Sequence, residues 1–363
     1  MNEEILKPIL SIKNFHERDS NISFEEKDHR YTITNQGTSI TPYKSTTTFI
    51  HEQFEQFDAD LIIKNMMKGK NWKTSKYYGM SVDDIKKIWN DNGSSVSKQG
   101  TSLHNSIEKF MNQELVENQE YTHENLLKNY EKNNILDNSI DWSLFIKYSK
   151  KYPNFVPYRT EWLIYDEEVK IAGSIDMVYL NEDGTIDIYD WKRSKKITKE
   201  TFGNKYAINE CINYLPDSNY FHYSLQLNIY KTIIEKNYNM KVKNLYLIRL
   251  HPENKNNTFE EIKVINLSNE VENLFNYRKI NQLKYNNIEK QIEHEQECQE
   301  KECQEKDYQE KECQEKDYQE KECQEKECQE KECQEKECQE KECQEKECQE
   351  KECQEKEVNN FEY

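Results

Sequence analysis

The 363-residue chain is 34% hydrophobic and 33% charged with a formal charge of −18, but those averages hide a division. Twelve near-identical pentapeptides, (E/D)(C/Y)QEK, run from Glu297 to Lys356; their 24 acids and 12 lysines account for −12, leaving −6 for everything else. Acidity is therefore a tail property that says little about what the folded part binds, and no run approaches the roughly 20 apolar residues that cross a bilayer.

Cysteine usage divides in the same way. Ten of the eleven cysteines lie in the array and only Cys211 in the body, which excludes a disulfide framework. The opening residues, MNEEILKPILSIK, have no apolar signal core. A soluble protein of the cytoplasm or nucleus, with no membrane partner, is expected.

Residues 1–20 read as a polar leader. Ile22–Phe24 and Arg30–Thr34 read as short strands, the second turning through Asn35-Gln36-Gly37 into Thr38-Ser39-Ile40. Ser45–Thr48 supplies capping residues for a helix running through Phe49, Ile50 and Phe54 into Phe57–Met67. Lys64–Tyr78 then interleaves five lysines with Trp72, Tyr77 and Tyr78. Lysines neutralise phosphates and aromatic faces stack on bases, so Lys70, Lys73 and Lys76 are candidate DNA contacts. A solvated lysine-rich linker with its aromatics tucked into the core would read the same way.

Ser81–Asn90 is helical in pattern with Ser81 as N-cap, and Asn92-Gly93-Ser94-Ser95 reads as a break. A second helix is expected to start at Gly100-Thr101, where Leu103, Ile107 and Phe110 form an apolar stripe. His104 lies on the neighbouring face, four residues before Glu108, free to present a ring nitrogen to a metal. Trp142, Phe145 and Tyr148 predict a further helix packed on the body.

Three strands follow, Glu161–Tyr165, Ile171–Leu180 and Thr185–Trp191, the last two joined by Asn181-Glu182-Asp183-Gly184, a hairpin signal. Asp176 sits inside the second strand and Asp190 ends the third. Paired strands joined by a tight turn let two carboxylates converge, and alternation puts Asp190 and Lys192 on one face and Trp191 on the other. Beyond them, His222–Asn237 reads as a helix with Leu225, Ile229 and Ile233 inward and Gln226 and Tyr230 beside that stripe. Lys243–Leu250 and Phe259–Leu267 read as strands, and Ser268–Tyr277 as a helix capped by Ser268. Strands and helices in this order predict an α/β (α+β) fold with a central mixed sheet flanked by helices.

Hard divalent cations prefer carboxylate oxygens, so Asp176 and Asp190 are candidate ligands for Mg²⁺ or Mn²⁺. Lys192 would position the attacking water, help to deprotonate it and stabilise developing charge. Glu161 could add a carboxylate, and Gly173 leaves room for a close approach. Asp-x-Lys at a strand end by itself reads as a solvated rim or a weak ion pair. The order of signals is what points to phosphodiester hydrolysis: a helical His, a strand Glu, G-x-x-D, D-W-K, then Q-x-x-x-Y on a helix.

On Gly100-Thr101…His104…Glu108, Gly173-Ser174-Ile175-Asp176, Asp190-Trp191-Lys192 and Gln226…Tyr230, the chain resembles the RecB-type branch of the PD-(D/E)XK nuclease superfamily, to which phage and large-virus exonucleases belong. The likeness covers Gly100 to Leu267, and more loosely His29-Arg30-Tyr31 and Ser45–Ile50. It implies a restriction-endonuclease-like core and a metal-dependent DNA exonuclease, with endonuclease action second. It implies His104, Asp176, Asp190 and the Trp191 carbonyl as metal ligands, Lys192 as catalytic lysine and Glu161 as accessory acid. Gln226 and Tyr230 would touch the scissile phosphate or DNA backbone. Ile175 stands where the superfamily name has proline, and Asp190 replaces the commoner Glu; both are tolerated in this branch. Cys211 alone cannot hold the iron–sulfur cluster of some relatives.

The expected organisation is an N-terminal segment (1–99) packing on a nuclease core (100–280), a charged linker (281–296), the repeat tail (297–356) and a short end (357–363). A five-residue period matches neither a helix face nor a coiled-coil seam, so the tail is helical or disordered but has no core. Two other functional classes fit: a catalytically inactive DNA-binding module of the same fold, and an interaction protein acting through its tail.

Overall fold

The computed structural model describes residues 8–358 apart from 36–37, 134–138 and 202. The Gln36-Gly37 turn and the last five residues therefore lie outside the described residues. Strands β1 (Ile22–Glu25), β2 (Arg30–Asn35) and β3 (Thr38–Ser45) form an antiparallel meander. The end of β3 then pairs parallel with β5 (Ile171–Leu180) through Lys44 opposite Ile171 and Ser45 opposite Ala172. The N-terminal segment is thus part of the central sheet.

Strand β4 (Val156–Asp166) lies antiparallel to the whole of β5, and β5 turns into β6 (Ile186–Lys192). That hairpin needs a left-handed residue, and Gly184 supplies it at φ +77°. Beyond β6, helix α7 (Asn219–Asn237) crosses over to β7 (Val242–Arg249), parallel to β6, and β8 (Glu260–Lys263) closes the edge antiparallel to β7. The result is an eight-stranded mixed sheet flanked by helices. Strand β8 is shorter than the expected Phe259–Leu267 because Leu267 N donates to Asn228 Oδ1 (2.8 Å), drawing the chain off the sheet towards α7.

Besides the short α1 (Ile9–Lys13), two helices stand where one was expected after Ser45. Ser45 Oγ accepts from Thr48 N and caps α2 (Thr46–His51), whereas Asp58 Oδ1 accepts from Leu61 N and caps α3 (Ala59–Lys68). The reverse holds for α4 (Val82–Met111), a single 30-residue helix running through the expected break at Gly93 and the expected start at Gly100. Neither glycine has an atom within 4 Å of where a Cβ would sit, so nothing in the tertiary structure interrupts the helix there. Each costs about 1 kcal/mol against alanine. Burial of Ile85 near one end and of Leu103, Ile107, Phe110 and Met111 at the other offsets that cost. The expected boundary between residues 99 and 100 therefore falls inside a helix. Helix α5 (His123–Lys132), capped by Thr122, was not foreseen, while α6 (Ile140–Lys151) carries the expected Trp142, Phe145 and Tyr148 inward.

Both faces of the sheet are covered. On one, α2 and α7 bury Phe49, Ile50, Leu225, Ile229 and Ile233 against Ile175, Ile188 and Leu247. On the other, α4, α5 and α6 bury Leu103, Ile107, Leu126, Trp142 and Phe145 against Tyr179, Tyr189 and Trp191. Each such side chain contributes about 1.5–3 kcal/mol on leaving water.

The chain divides into two compact units, Met1–Asn281 and Gln282–Tyr363. The final helix, α8 (Ser268–Val358), starts in the first unit with Val271, Leu274 and Phe275 buried. In the second unit the repeat is helical as far as Val358, with Lys326 and Glu322 paired at i, i+4 (3.2 Å). Among the described residues no helix is long and apolar enough to cross a membrane. Deleting residues 297–363 is expected to leave the melting temperature of the body unchanged; a drop of several degrees on calorimetry would overturn that division.

Candidate metal centre

The site begins with a gap in the sheet. On one edge β5 pairs continuously with β4, but its other edge is shared. Strand β3 reaches only Ile171 and Ala172, and β6 pairs only with Met177–Leu180. The stretch Gly173–Asp176 has no ladder partner on that edge among the described residues. The strands part just beyond the Met177–Tyr189 pair, where Asp176 and Asp190 would come next. Trp191 N, lacking a carbonyl acceptor there, donates to Asp176 Oδ2 at 2.9 Å.

Helix α4 brings His104 to the same place. Its Nε2 lies 3.0 Å from the Trp191 carbonyl oxygen, and its Nδ1 lies 3.5 Å from Glu161 Oε1 and 3.6 Å from Asp176 Oδ2. Ligand atoms of His104, Glu161 and Asp176 all fall within 4.8 Å of one another. Glu161 lies on β4 between Thr160 and Trp162, which pair with Met177 and Ile175, and is left-handed, at φ +42°, inside a strand. Such a backbone costs a non-glycine residue on the order of 1–3 kcal/mol and marks positions held by their surroundings. Ser174 Oγ contributes to that hold, donating to Glu161 Oε2 at 3.0 Å.

A second group sits beside the first. Lys192 Nζ lies 2.6 Å from Asp190 Oδ2 and 4.5 Å from the centre of the Tyr223 ring, and donates to Gln226 Oε1 at 3.5 Å. Gln226 Nε2 in turn donates to the Tyr230 hydroxyl at 3.1 Å. Tyr230 is only 3% exposed; it holds Gln226, which holds Lys192. Gly173 has a different purpose from the one expected, since a Cβ there would lie 2.5 Å from Tyr230 Cε1 and 2.9 Å from Thr46 Oγ1. The close approach is by Tyr230. Gly173→Ala is expected to lower stability by about 1–3 kcal/mol in a denaturant titration, as overpacking does.

Burial sets the electrostatics. It pushes Asp190 up to about 6, helped by the neighbouring Asp176 and opposed by Lys192. Burial likewise raises Asp176, with His104 opposing. For His104 burial disfavours the charge, but Asp176 and Glu161 outweigh it and raise the pKa to about 9. Lys192 is held far above its usual range: burial opposes its charge, and Asp190 and Asp176 overcome that. Asp190 Oδ1 is buried without a hydrogen-bond partner among the described residues. Crowded carboxylates that burial disfavours as anions, an orphan acceptor and one imidazole make a donor set that fits a hard divalent cation.

Of the expected site residues, His104, Glu161, Asp176, Asp190, Trp191, Lys192, Gln226 and Tyr230 are linked through these contacts. Glu161 stands in the tightest cluster, with His104 and Asp176, while Asp190 is paired with Lys192. Lys70, Lys73 and Lys76 are exposed on the segment after α3, and none of them takes part in these contacts. The aromatics there face one another and α4: Trp72 meets Tyr78 edge-on, and Trp89 Nε1 donates to the Tyr77 hydroxyl at 2.9 Å. Ser174 and Tyr223 were missed. Tyr223 precedes Gln226 by three residues and shares its helix face, a signal the spacing did contain. Comparison with family models and with curated proteins finds no match for this chain.

Proposed function

We propose that the chain is a divalent-metal-dependent DNA nuclease, with exonuclease action favoured over endonuclease. The observation that carries this reading is the convergence of His104, Glu161 and Asp176 within 4.8 Å beside the Asp190–Lys192 pair. DNA as substrate and the exonuclease preference rest on the resemblance to the RecB-type branch of the PD-(D/E)XK nucleases. Mg²⁺ or Mn²⁺ would be held by His104, Asp176 and Glu161, with Asp190 and the Trp191 carbonyl alongside. Bound there, such an ion lowers the pKa of a water and offsets charge on the phosphate.

The chain's own residues do the rest. Lys192 remains an ammonium beside Asp190, so it stabilises charge growing on the phosphate and does not act as a base. Gln226 and Tyr223 fix its reach, and Tyr230 fixes Gln226. The Trp191 N–H holds the Asp176 carboxylate in one orientation. Purified protein incubated with linear duplex, circular duplex and single strands in Mg²⁺, Mn²⁺ or EDTA tests the reading. Metal-dependent cleavage, faster on linear DNA, is expected; no cleavage of any substrate would sink it.

A further inference from the structure

Next to the proposed catalytic lysine the chain places a half-buried arginine. Arg193 directly follows β6, and its Nε donates to Asp141 Oδ2 at 2.6 Å, both side chains being only 13% exposed. Its two terminal amino groups have no partner among the described residues. The backbone around it is pinned: Leu250 N donates to the Lys192 carbonyl (2.9 Å), and Arg249 Nη1 donates to the Lys195 carbonyl (2.7 Å). Asp141 belongs to the first turn of α6, whose N-terminus Ser139 caps through its hydroxyl.

Arg193 and Asp141 form one wall of a cleft of about 390 Å³ between α4, α6 and the end of β7. Ser102 and Ser106 of α4 line the opposite wall, and Ile140 and Pro252 supply apolar surface, Ile140 being 51% exposed. Asp141 Oδ1 is buried with no hydrogen-bond partner among the described residues. The cleft thus offers a guanidinium fork, two hydroxyls, an apolar ledge and one orphan acceptor. A fork of parallel N–H donors suits a phosphate, hydroxyls add contacts to its oxygens, and apolar surface suits a sugar or base. The orphan acceptor suits a hydroxyl or amino donor carried beside that phosphate.

We infer that Arg193, oriented by Asp141, anchors a non-scissile phosphate of the nucleic-acid strand that the adjoining metal centre would cut. This deepens the nuclease reading and rests on it. Arg193 lies two residues past the Trp191 carbonyl that His104 meets, roughly 7 Å of extended chain. Arg193 belongs to binding and Asp141 is a positioning residue.

The test uses the full chain and a fluorescent single-stranded oligonucleotide in EDTA, with anisotropy read against salt, beside cleavage kinetics in Mg²⁺. Arg193→Ala is expected to weaken binding on the order of tenfold and to lower the salt slope by about one. It should raise KM while leaving kcat near wild type. Arg193→Lys keeps the charge but not the fork, so it should recover the salt slope and only part of the affinity. If Arg193→Ala does not fold, Arg193→Lys carries the test through that partial affinity. Asp141→Asn separates positioning from charge: loss of an anion by itself tightens DNA binding, whereas loss of orientation weakens it, and weakening is expected. Wild-type affinity in both Arg193 variants, or tighter binding by Asp141→Asn, would overturn the anchor while leaving the nuclease intact. A wild-type chain that neither binds nor cuts any strand would overturn both. Inorganic phosphate at millimolar concentration should compete with the oligonucleotide for wild type and not for Arg193→Ala; equal competition in the two would also count against the anchor.

Discussion

Lys192→Ala is expected to lower the cleavage rate by about 10²- to 10⁴-fold while leaving Mn²⁺ binding in place. The ammonium is 2.6 Å from Asp190 and also reaches Gln226, so its position is set before any substrate arrives. Such preorganised charge acts mainly on the transition state, and its loss should appear in kcat more than in KM. Removing it strips a cation from the carboxylates, so the Mn²⁺-induced rise in melting temperature should persist or grow. Lys192→Gln keeps much of the side-chain volume and controls for the loss of packing against Tyr223. Cleavage at the wild-type rate by either variant would remove Lys192 from the mechanism.

The second large effect concerns stability. Asp190 has a folded pKa of about 6, above its ordinary 3.8, so the protonated form is the one that favours the fold. That contribution is complete below about pH 4 and is lost as pH rises through about 6. His104, raised to about 9, contributes stability below its ordinary 6.5 that is lost as pH rises through about 9. Both signs agree: the metal-free protein weakens as the pH climbs, and the same deprotonations prepare the site for a cation. The rise in melting temperature on adding Mn²⁺ should therefore be larger at pH 9 than at pH 6. Asp190→Asn and Asp176→Asn mimic the protonated acids. Each also removes the anion that holds a neighbouring cation, Lys192 or His104, and each should abolish most of the Mn²⁺-induced gain. Calorimetry across pH, with and without Mn²⁺, checks the prediction; variants that keep the full Mn²⁺ response would refute it.

Much of the site was legible because its parts are local patterns. Period-two alternation put Asp190 and Lys192 on one side of a strand and Trp191 on the other, as the ion pair and the opposite aromatic core show. The stripes Leu103-Ile107-Phe110 and Leu225-Ile229-Ile233 marked the inward faces of α4 and α7, which also settled roughly where His104 and Gln226 would lie. Local signals failed where a rule about single residues met a wider context. Gly93 and Gly100 read as punctuation, yet α4 continues through both because its two ends are anchored and its exposed middle meets no obstacle. Tyr230, which its spacing puts only beside the apolar stripe, is itself buried against Gly173, which has room for its ring.

By itself the sequence determined the residue types, their order and the strands and helices that carry them, along with the separation of an acidic repeat from a folded body. Those properties follow from composition and short periods, which need only near neighbours. Tertiary structure alone decided that β3 and β6 share one edge of β5 and leave Gly173–Asp176 open between them. It also decided that Glu161 turns left-handed to face His104, and that Arg193 is aimed by an aspartate 52 residues away. His104 and the Trp191 carbonyl are 87 residues apart and 3.0 Å from contact to contact. No local period encodes such a meeting; it follows from α4 packing its apolar stripe on one face of the sheet where the strands part.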